Sequence, residues 1–269
     1  RQVRGSASPA DKAAAIACVD RIQEKNALVD LPNYDDQLSR LVGNAEARSQ
    51  VARFAFRSIL QRTAGVDAKN LARANAPLVS AVKGSKYEAA AQGWMTAVAA
   101  PQSGVARAAL AKAVNSDLSG ESAALRASLG LALARAHYAA GNDAAAIVEY
   151  EKLYKIGAPM QDALIESAWS HLRSKNYAKS LGLSVELSTG KLSQFFAPEA
   201  LAIRAIGFVE NCRYAESRNA ISAFASTYTP VANWLKNEAP ASLYESAVAR
   251  AEGEIGEEAV PSLVWSVWS

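Results

Sequence analysis

From Pro9 onwards, apolar residues recur every three or four positions and polar residues fill the positions between them. This spacing is that of an amphipathic α-helix. Runs of alternating β-branched and aromatic residues, which would indicate strands, are almost absent. Alanine makes up about a fifth of the chain and is the best helix former among the amino acids. The pattern therefore predicts an all-α protein.

One phrase of the sequence recurs 34 residues further along the chain. Its first copy consists of Ala134, His137, Gly141, Asn142, Ala146 and Tyr150, and its second of Ala168, His171, Lys175, Asn176, Ser180 and Ser184. This period is typical of a helix–turn–helix unit that stacks on copies of itself, because one unit cannot bury its apolar face alone. Such stacks form a concave groove that can hold another polypeptide. The sequence therefore predicts an α-solenoid of stacked antiparallel helical hairpins.

The phrase predicts three hairpins in the middle of the chain, which pair 121–140 with 143–156, 160–174 with 177–187, and 198–211 with 214–227. The third hairpin comes 37 positions after the second, and the extra residues fall in the predicted loop 188–197, where an insertion costs little. Upstream, the pattern predicts helices over 10–30, 34–42, 45–63, 67–82 and 105–114, and a capping box of Ser85 and Glu88 that opens one more. Downstream, Pro230 is predicted to begin a short helix, and Ser242 a final helix to about Gly253.

These elements divide the chain into four predicted regions. Residues 1–9 are expected to be a disordered lead-in, 10–83 an N-terminal helical region, 84–229 the repeats, and 230–269 a C-terminal helical cap with an aromatic tail. The softest internal boundary is predicted near 100–120, where Pro101 and Gly104 break the helical pattern.

Residues 121–229 resemble tetratricopeptide repeats, and residues 84–118 resemble them to a lesser degree. The family places small residues where two helices cross, and the chain has Ala134, Ala168 and Ala205, then Ala146, Ser180 and Ser217, at those positions. It places a large residue four positions later, where the chain has Tyr150, Ser184 and Ile221. Gly141 matches the family's turn glycine, whereas Lys175 and Cys212 depart from it. The resemblance implies a superhelix whose first helices line a concave groove that binds protein or peptide.

By that register, the resemblance implies a set of groove-lining residues of mixed character. They are Leu131, Arg135, Tyr138, Asp162, Ile165, Trp169, Arg173, Glu199, Ala202, Ile206 and Glu210. Such a surface suits an extended or helical peptide segment. The Lys/Asn pattern with which some family members hold a chaperone tail is absent at these positions, so we do not expect a chaperone-tail receptor.

Charge and chemistry narrow the function further. The formal net charge is +3, with 29 basic and 26 acidic residues spread along the chain, so no basic stripe indicates nucleic acid. No apolar run reaches the roughly 20 residues that a membrane span needs. No catalytic motif, metal-ligand cluster or cofactor signature is present, and His137 and His171 are interpreted as polar-tipped core residues. Cys18 and Cys212 are interpreted as free thiols, although a single bridge stays open.

The sequence therefore predicts a non-enzymatic helical-repeat scaffold that binds a protein or peptide and that can self-associate. Two alternatives stay open, the superhelical accessory region of a cell-wall-active enzyme and an oligomerising structural subunit. Trp265 and Trp268 are predicted to cap the last repeat or to dock on another subunit. Because the chain begins with Arg1 and has two cysteines, we expect a periplasmic or cell-envelope location, with the cytoplasm as the alternative.

Overall fold

A computed structural model describes residues 48–61, 68–100, 103–156, 161–189 and 197–237, with Ser8, Asp11, Ala14, Ala15, Cys18 and Glu245 as single positions. Every regular element in these ranges is an α-helix, so the all-α prediction is confirmed. The helices are α1 (Arg48–Gln61), α2 (Ala68–Val82), α3 (Glu88–Ala99), α4 (Gly104–Val114), α5 (Ala123–Ala139), α6 (Asp143–Ile156), α7 (Gln161–Arg173), α8 (Tyr177–Glu186), α9 (Pro198–Glu210) and α10 (Tyr214–Asn237).

The chain divides into two compact units, residues 1–142 and 143–269. In the first unit, each helix from α1 to α5 contacts the next, and α1 contacts α3 while α3 contacts α5. In the second unit, each helix from α6 to α10 contacts the next, and α7 contacts α9. Packing between chain neighbours and between alternate helices is consistent with a helical repeat.

The core of the first unit is built from large side chains on α1, α2 and α3. Phe56, Ile59 and Leu78 are fully buried there, and the ring of Phe56 stacks on that of Tyr87 with 5.3 Å between centroids. The same cluster extends to Leu129 on α5. Burying an apolar side chain of this size stabilises the folded state by roughly 1.5–3 kcal/mol relative to leaving it in water. This cluster is therefore the main apolar stabilisation of the unit.

A buried ionic network fastens the loop before α5 to α1 and α3. The Glu121 carboxylate accepts hydrogen bonds from Arg53 Nε at 2.8 Å and from Arg57 Nη2 at 2.8 Å. It also accepts one from the Tyr87 hydroxyl at 2.8 Å, and Lys86 Nζ donates to the Ser119 carbonyl at 2.7 Å. These bonds join residues on either side of the region 100–120, where the sequence predicts its softest boundary. The two compact units divide between Asn142 and Asp143.

The turns that follow α5, α7 and α9 repeat one backbone geometry. Gly141, Lys175 and Cys212 all have positive φ, of 75°, 60° and 57°. In each turn, the residue that follows donates its N–H to a carbonyl five residues back, at 2.8–3.0 Å; the donor–acceptor pairs are Asn142 to His137, Asn176 to His171 and Arg213 to Phe208. This is the left-handed cap that closes many helices. Lys175 and Cys212 are not glycines but occupy the same conformation as Gly141.

The small residues of the recurring phrase lie where helices cross. Ser180 donates its hydroxyl to the Ala168 carbonyl at 2.8 Å, and Ser217 donates to the Ala205 carbonyl at 2.9 Å. Ser180 and Ser217 are buried, and each bond joins the two helices of one predicted hairpin. A buried serine is therefore tolerated at these contacts, because its hydroxyl finds a backbone acceptor instead of remaining unsatisfied.

Helix ends depart from the sequence prediction in three places. The Ser85 hydroxyl accepts from Tyr87 N–H, and Glu88 accepts from Gly84 N–H, so α3 begins at Glu88 and the predicted capping box does not form. Pro230 lies inside α10 rather than at the start of a separate helix. It is exposed while the adjacent Val231 is buried, so water can hydrate the carbonyl that loses its donor while packing holds the helix together.

A third departure lies near the amino end, where Ser8 and Asp11 exchange hydrogen bonds in the manner of a capping box. Ser8, which the sequence places in the predicted disordered lead-in, therefore bonds to Asp11, a residue in helical conformation. The rest of residues 1–9, most of the predicted helices 10–30 and 34–42, the final predicted helix 242–253 apart from Glu245, and the aromatic tail lie outside the described residues.

Candidate peptide-binding surface

Four of the predicted groove residues lie on α7, and the structure separates them by exposure. Asp162 and Arg173 are exposed and Trp169 is half-buried. Ile165 is only 8% exposed and packs with Leu187 and with the first turn of α9. Ile165 therefore belongs to the core of the second unit, and we leave it out of the candidate surface.

The predicted residues of α9 lie on one face of that helix. Glu199, Ile206 and Glu210 are exposed and are separated by seven and four positions, which places them in line on an α-helix. Ile206 is 41% exposed and its neighbour Val209 is 45% exposed. The sequence prediction includes Ile206 but misses Val209. Helical periodicity alone does not show which part of the α9 surface a neighbouring helix covers.

Trp169 joins the α7 and α9 faces. It packs against one buried cluster that contains Ala200 and against a second that contains Ile203, and both of those residues are on α9. Trp169 is not fully buried. A rigid aromatic side chain at the contact of two helices is the type of anchor that dominates binding energies at interfaces.

Exposed carboxylates lie on the same two helices as this anchor. Arg173 Nε lies 3.3 Å from Asp143 Oδ2, so its charge is already paired. Glu210 Oε2 accepts a hydrogen bond from the Tyr177 hydroxyl at 3.0 Å, and this bond raises the pKa of Tyr177. We define the α7–α9 surface as Asp162, Trp169, Arg173, Glu199, Ile206 and Glu210. Because the Arg173 guanidinium is paired with Asp143, the exposed charge of the α7–α9 surface is negative.

The other predicted groove residues are on α5 in the first unit. Arg135 is exposed, whereas Leu131 and Tyr138 are half-buried. Because the prediction counted Arg135 with the second-unit residues, it described a surface of mixed charge. The part that lies on α7 and α9 is more acidic than that description.

The two histidines lie within or at the edge of the cores. His171 is 5% exposed, and neither ring nitrogen has a hydrogen-bond partner among the described residues. Burial lowers the pKa of His171, nearby Lys179 lowers it further, and Glu151 opposes both. His137 is half-buried. The imidazole of His171 is therefore a neutral core group, as the sequence interpretation proposes.

A crevice of about 730 Å³ lies between α2 and α3 in the first unit. Glu88 lines it, but one carboxylate oxygen accepts from Gly84 N–H and the other from the Gln92 side chain. Its wall also includes Val79 and Met95. The Glu88 carboxylate therefore serves the start of α3 rather than presenting an open acidic group to the crevice.

Within the described ranges, no three His, Cys, Asp or Glu side chains are grouped so that they could hold a metal ion. No helix there combines the length and apolarity required to cross a membrane. Cys18 and Cys212 are exposed free thiols. Trp265 and Trp268 lie outside the described residues.

Comparisons with protein-family models, with curated proteins and with solved structures return no match. The functional proposal therefore rests on the side chains of the chain itself.

Proposed function

We propose that the chain is a non-enzymatic helical-repeat scaffold that binds a protein or peptide on the α7–α9 surface. The observation that carries this proposal is the partly buried Trp169, which packs against two buried clusters that include residues of α9, on helices that also carry the exposed Ile206 and three exposed carboxylates. A soluble chain leaves such an arrangement open to water only at some cost, and exposed apolar groups with a polar rim are typical of binding surfaces.

The repeat interpretation is supported by local geometry. The left-handed turns at Gly141, Lys175 and Cys212 share one hydrogen-bond pattern, and the buried hydroxyls of Ser180 and Ser217 make equivalent bonds. In a tetratricopeptide-like arrangement, α7 and α9 would be first helices of successive hairpins. Their mutual contact is the one expected of helices that line a concave wall.

The charge of the surface selects the chemistry of the partner. Trp169 and Ile206 favour an apolar side chain, while Asp162, Glu199 and Glu210 favour lysine or arginine beside it. Complementary charge mainly speeds association and selects the partner, while the buried aromatic contact supplies most of the affinity. We therefore propose a peptide segment, helical or extended, in which apolar residues are flanked by basic ones.

Two labelled peptides with the same leucine pattern, one carrying lysines and one carrying glutamates at the remaining positions, test this proposal by fluorescence anisotropy. We expect the lysine peptide to bind at least about tenfold more tightly, a difference of about 1.4 kcal/mol. Its affinity should fall as salt is raised, since exposed charges are screened. Equal affinities for the two peptides would overturn the proposed surface.

Variants on α9 give the sharper experiment, because α9 carries exposed members of the surface. Ile206→Asp and Glu199→Lys should each weaken the lysine peptide several-fold while helical circular dichroism and the melting temperature stay near those of the parent. Glu186→Lys is the matched control, because Glu186 is exposed on α8 outside the surface. If Glu186→Lys weakens binding as much as Glu199→Lys does, the interaction is with net charge rather than with this site.

The accessory-region and oligomer alternatives stay predictions from the sequence.

A further inference from the structure

One side of α10 combines apolar side chains with a positive charge. Tyr214 is 60% exposed, Ile221 is 56% exposed and Phe224 is 39% exposed, and Arg218 is exposed among them. The four residues follow one another at intervals of four, three and three positions, so they lie on one side of the helix. We call these four residues the α10 face. Several large apolar side chains left in water on one helix side are typical of an interaction site.

The charge of the α10 face is positive. Glu216 is the only acidic residue in the sequence of α10, and it accepts a hydrogen bond from Arg213 Nε at 2.9 Å. Among the described residues, no carboxylate pairs with Arg218. The guanidinium of Arg218 is therefore available to an acidic group of another molecule.

The α7–α9 surface has the complementary character. On α9, Ile206 is exposed and lies between Glu199 and Glu210, which are also exposed. The two glutamates are 11 positions apart, about 16 Å at the 1.5 Å rise of an α-helix. Tyr214 and Phe224 are 10 positions apart, about 15 Å along α10. The two surfaces therefore match in length, and an acidic apolar surface is matched to a basic apolar one.

We propose that the α10 face of one copy of this chain docks on the α7–α9 surface of a second copy. This inference rests on the proposed function, because it names the partner of that surface, a helix whose apolar residues accompany a basic one. Tyr214 and Ile221 are seven positions apart, the spacing with which an amphipathic helix places its anchors on an apolar surface. In the docked pair, Ile221 meets the side of the second copy that carries Trp169, and Arg218 meets its carboxylates.

A contact between two different surfaces leaves one of each unused in every pair. The first copy keeps its α7–α9 surface, and the second copy keeps its α10 face. Such a heterologous contact therefore adds further copies until a ring closes or a filament forms. The size of the assembly should increase with protein concentration and decrease with salt, because exposed charges are screened.

Two full-chain variants, each blocked at one surface, test the proposal. Ile221→Asp blocks the α10 face and leaves the α7–α9 surface intact, whereas Ile206→Asp does the reverse. In sedimentation velocity, the parent chain should associate, and each variant alone should associate at least about tenfold more weakly. Mixed in equal amounts, the two variants should form a species of two chains that grows no further, because each supplies the surface that the other lacks. Absence of this pair would overturn the proposal.

A matched control separates the two surfaces from a general effect of added charge. Val185 is 47% exposed on α8 and lies outside both surfaces, so Val185→Asp should associate as the parent does. Equal weakening by Val185→Asp would overturn the proposal. So would parent-like association of Ile206→Asp, which would mean that two α10 faces meet each other. A parent chain that stays monomeric at every concentration would overturn it too, and would leave the α10 face to a different occupant.

The lysine peptide separates this inference from the proposed function. It should bind Ile221→Asp, whose α7–α9 surface is intact, and this binding also shows that the variant is folded. Added to the parent chain, it should compete with the α10 face and reduce the size of the assembly. If the peptide binds but the mixed variants form no pair, self-docking is wrong and the peptide-binding surface stands. If the peptide does not bind and no pair forms, both proposals are wrong.

Discussion

The two units bury polar groups in different ways. In the first unit the buried polar centre is ionic, because Glu121 and Arg57 are almost fully enclosed, with side chains 1% and 5% exposed. In the second unit the buried polar side chains are neutral and small, chiefly Ser167, Ser170 and Ser180, together with the imidazole of His171. The first arrangement joins residues 64 positions apart, whereas the hydroxyl of Ser180 reaches a carbonyl 12 positions away.

This difference shows how each unit holds its helices together. Removing one partner from an enclosed carboxylate–guanidinium group is strongly destabilising, because it leaves a buried charge without compensation. Small residues with short-range hydroxyl bonds instead let neighbouring helices approach closely, and each bond contributes only about 1 kcal/mol. The stability of the first unit should therefore be most sensitive to substitution in the Glu121 network. The stability of the second unit should depend on many contacts that each contribute little.

The largest effect is expected at the ionic network. Glu121→Gln keeps the side-chain volume but leaves Arg57 and Arg53 without their carboxylate, so we expect a loss of about 3–5 kcal/mol in the free energy of unfolding. Urea denaturation followed by circular dichroism measures it. The control is Glu216→Gln, which breaks an exposed pair with Arg213 and should leave the midpoint unchanged. A loss below about 1 kcal/mol for Glu121→Gln would show that the network does not hold the first unit together.

Helix spacing gives the next largest contrast. A Cβ at Gly93 on α3 would lie 2.5 Å from the Ala109 carbonyl oxygen of α4, whereas a Cβ at Gly182 on α8 meets nothing within 4 Å. Gly93→Ala should therefore destabilise by about 1–3 kcal/mol through overpacking. Gly182→Ala should stabilise by about 0.5–1 kcal/mol, because alanine loses less backbone entropy in a helix. Thermal unfolding of both variants measures the pair, and the same sign for both would contradict the packing.

The recurring turns predict a smaller effect. Lys175 has a φ of 60°, in the left-handed region where Gly141 has a φ of 75°. Lys175→Gly should stabilise by up to about 1 kcal/mol, because glycine adopts this conformation without steric cost. Gly141→Lys should destabilise by a similar amount. Chemical denaturation of both variants measures the effect, and a destabilising Lys175→Gly would show that the side chain itself contributes to the turn.

His171 and the Glu121 network should affect the free energy of unfolding at different pH values. Burial lowers the pKa of His171 below its ordinary 6.5, so the unfolded chain binds more protons than the folded one just below that pH. Stability should therefore fall as pH decreases through 6.5, and His171→Gln should remove that slope. Unfolding free energies measured between pH 8 and 5 for both proteins give the comparison. An unchanged slope in His171→Gln would assign it to other groups.

Glu121 should act in a lower pH window. Burial opposes its ionisation, but the hydrogen bonds from Tyr87, Arg57 and Arg53 outweigh burial and hold its pKa below the ordinary 4.5. The Glu121 carboxylate therefore makes its full contribution to the free energy of unfolding above pH 4.5, and this contribution is lost as pH falls through the lowered pKa. The His171 slope and the loss of the ionic network should appear as two separate steps.

Local signals in the sequence located most helices of the second unit. Asp143 and Pro198 begin α6 and α9 as predicted, because an acidic first turn and a proline at the first helical position are local preferences. Pro230 misled the prediction, since its effect depends on whether packing around Val231 holds the helix. Of the predicted surface residues, Ile206 is exposed and Trp169 is partly buried. Helical register could not show that Ile165 is covered by Leu187 and α9.

The amino-acid sequence by itself determined the helical class, the turn positions and the small residues at helix crossings, because each depends on side-chain size and backbone preference within a few residues. Only the tertiary structure decided that Glu121 meets Arg53 and Arg57, that the units divide at Asn142, and that the α7–α9 surface is acidic. Those outcomes depend on which distant side chains are brought together and which are left in water. Hydrophobic period shows that a face exists, but contact with another element decides whether it is buried.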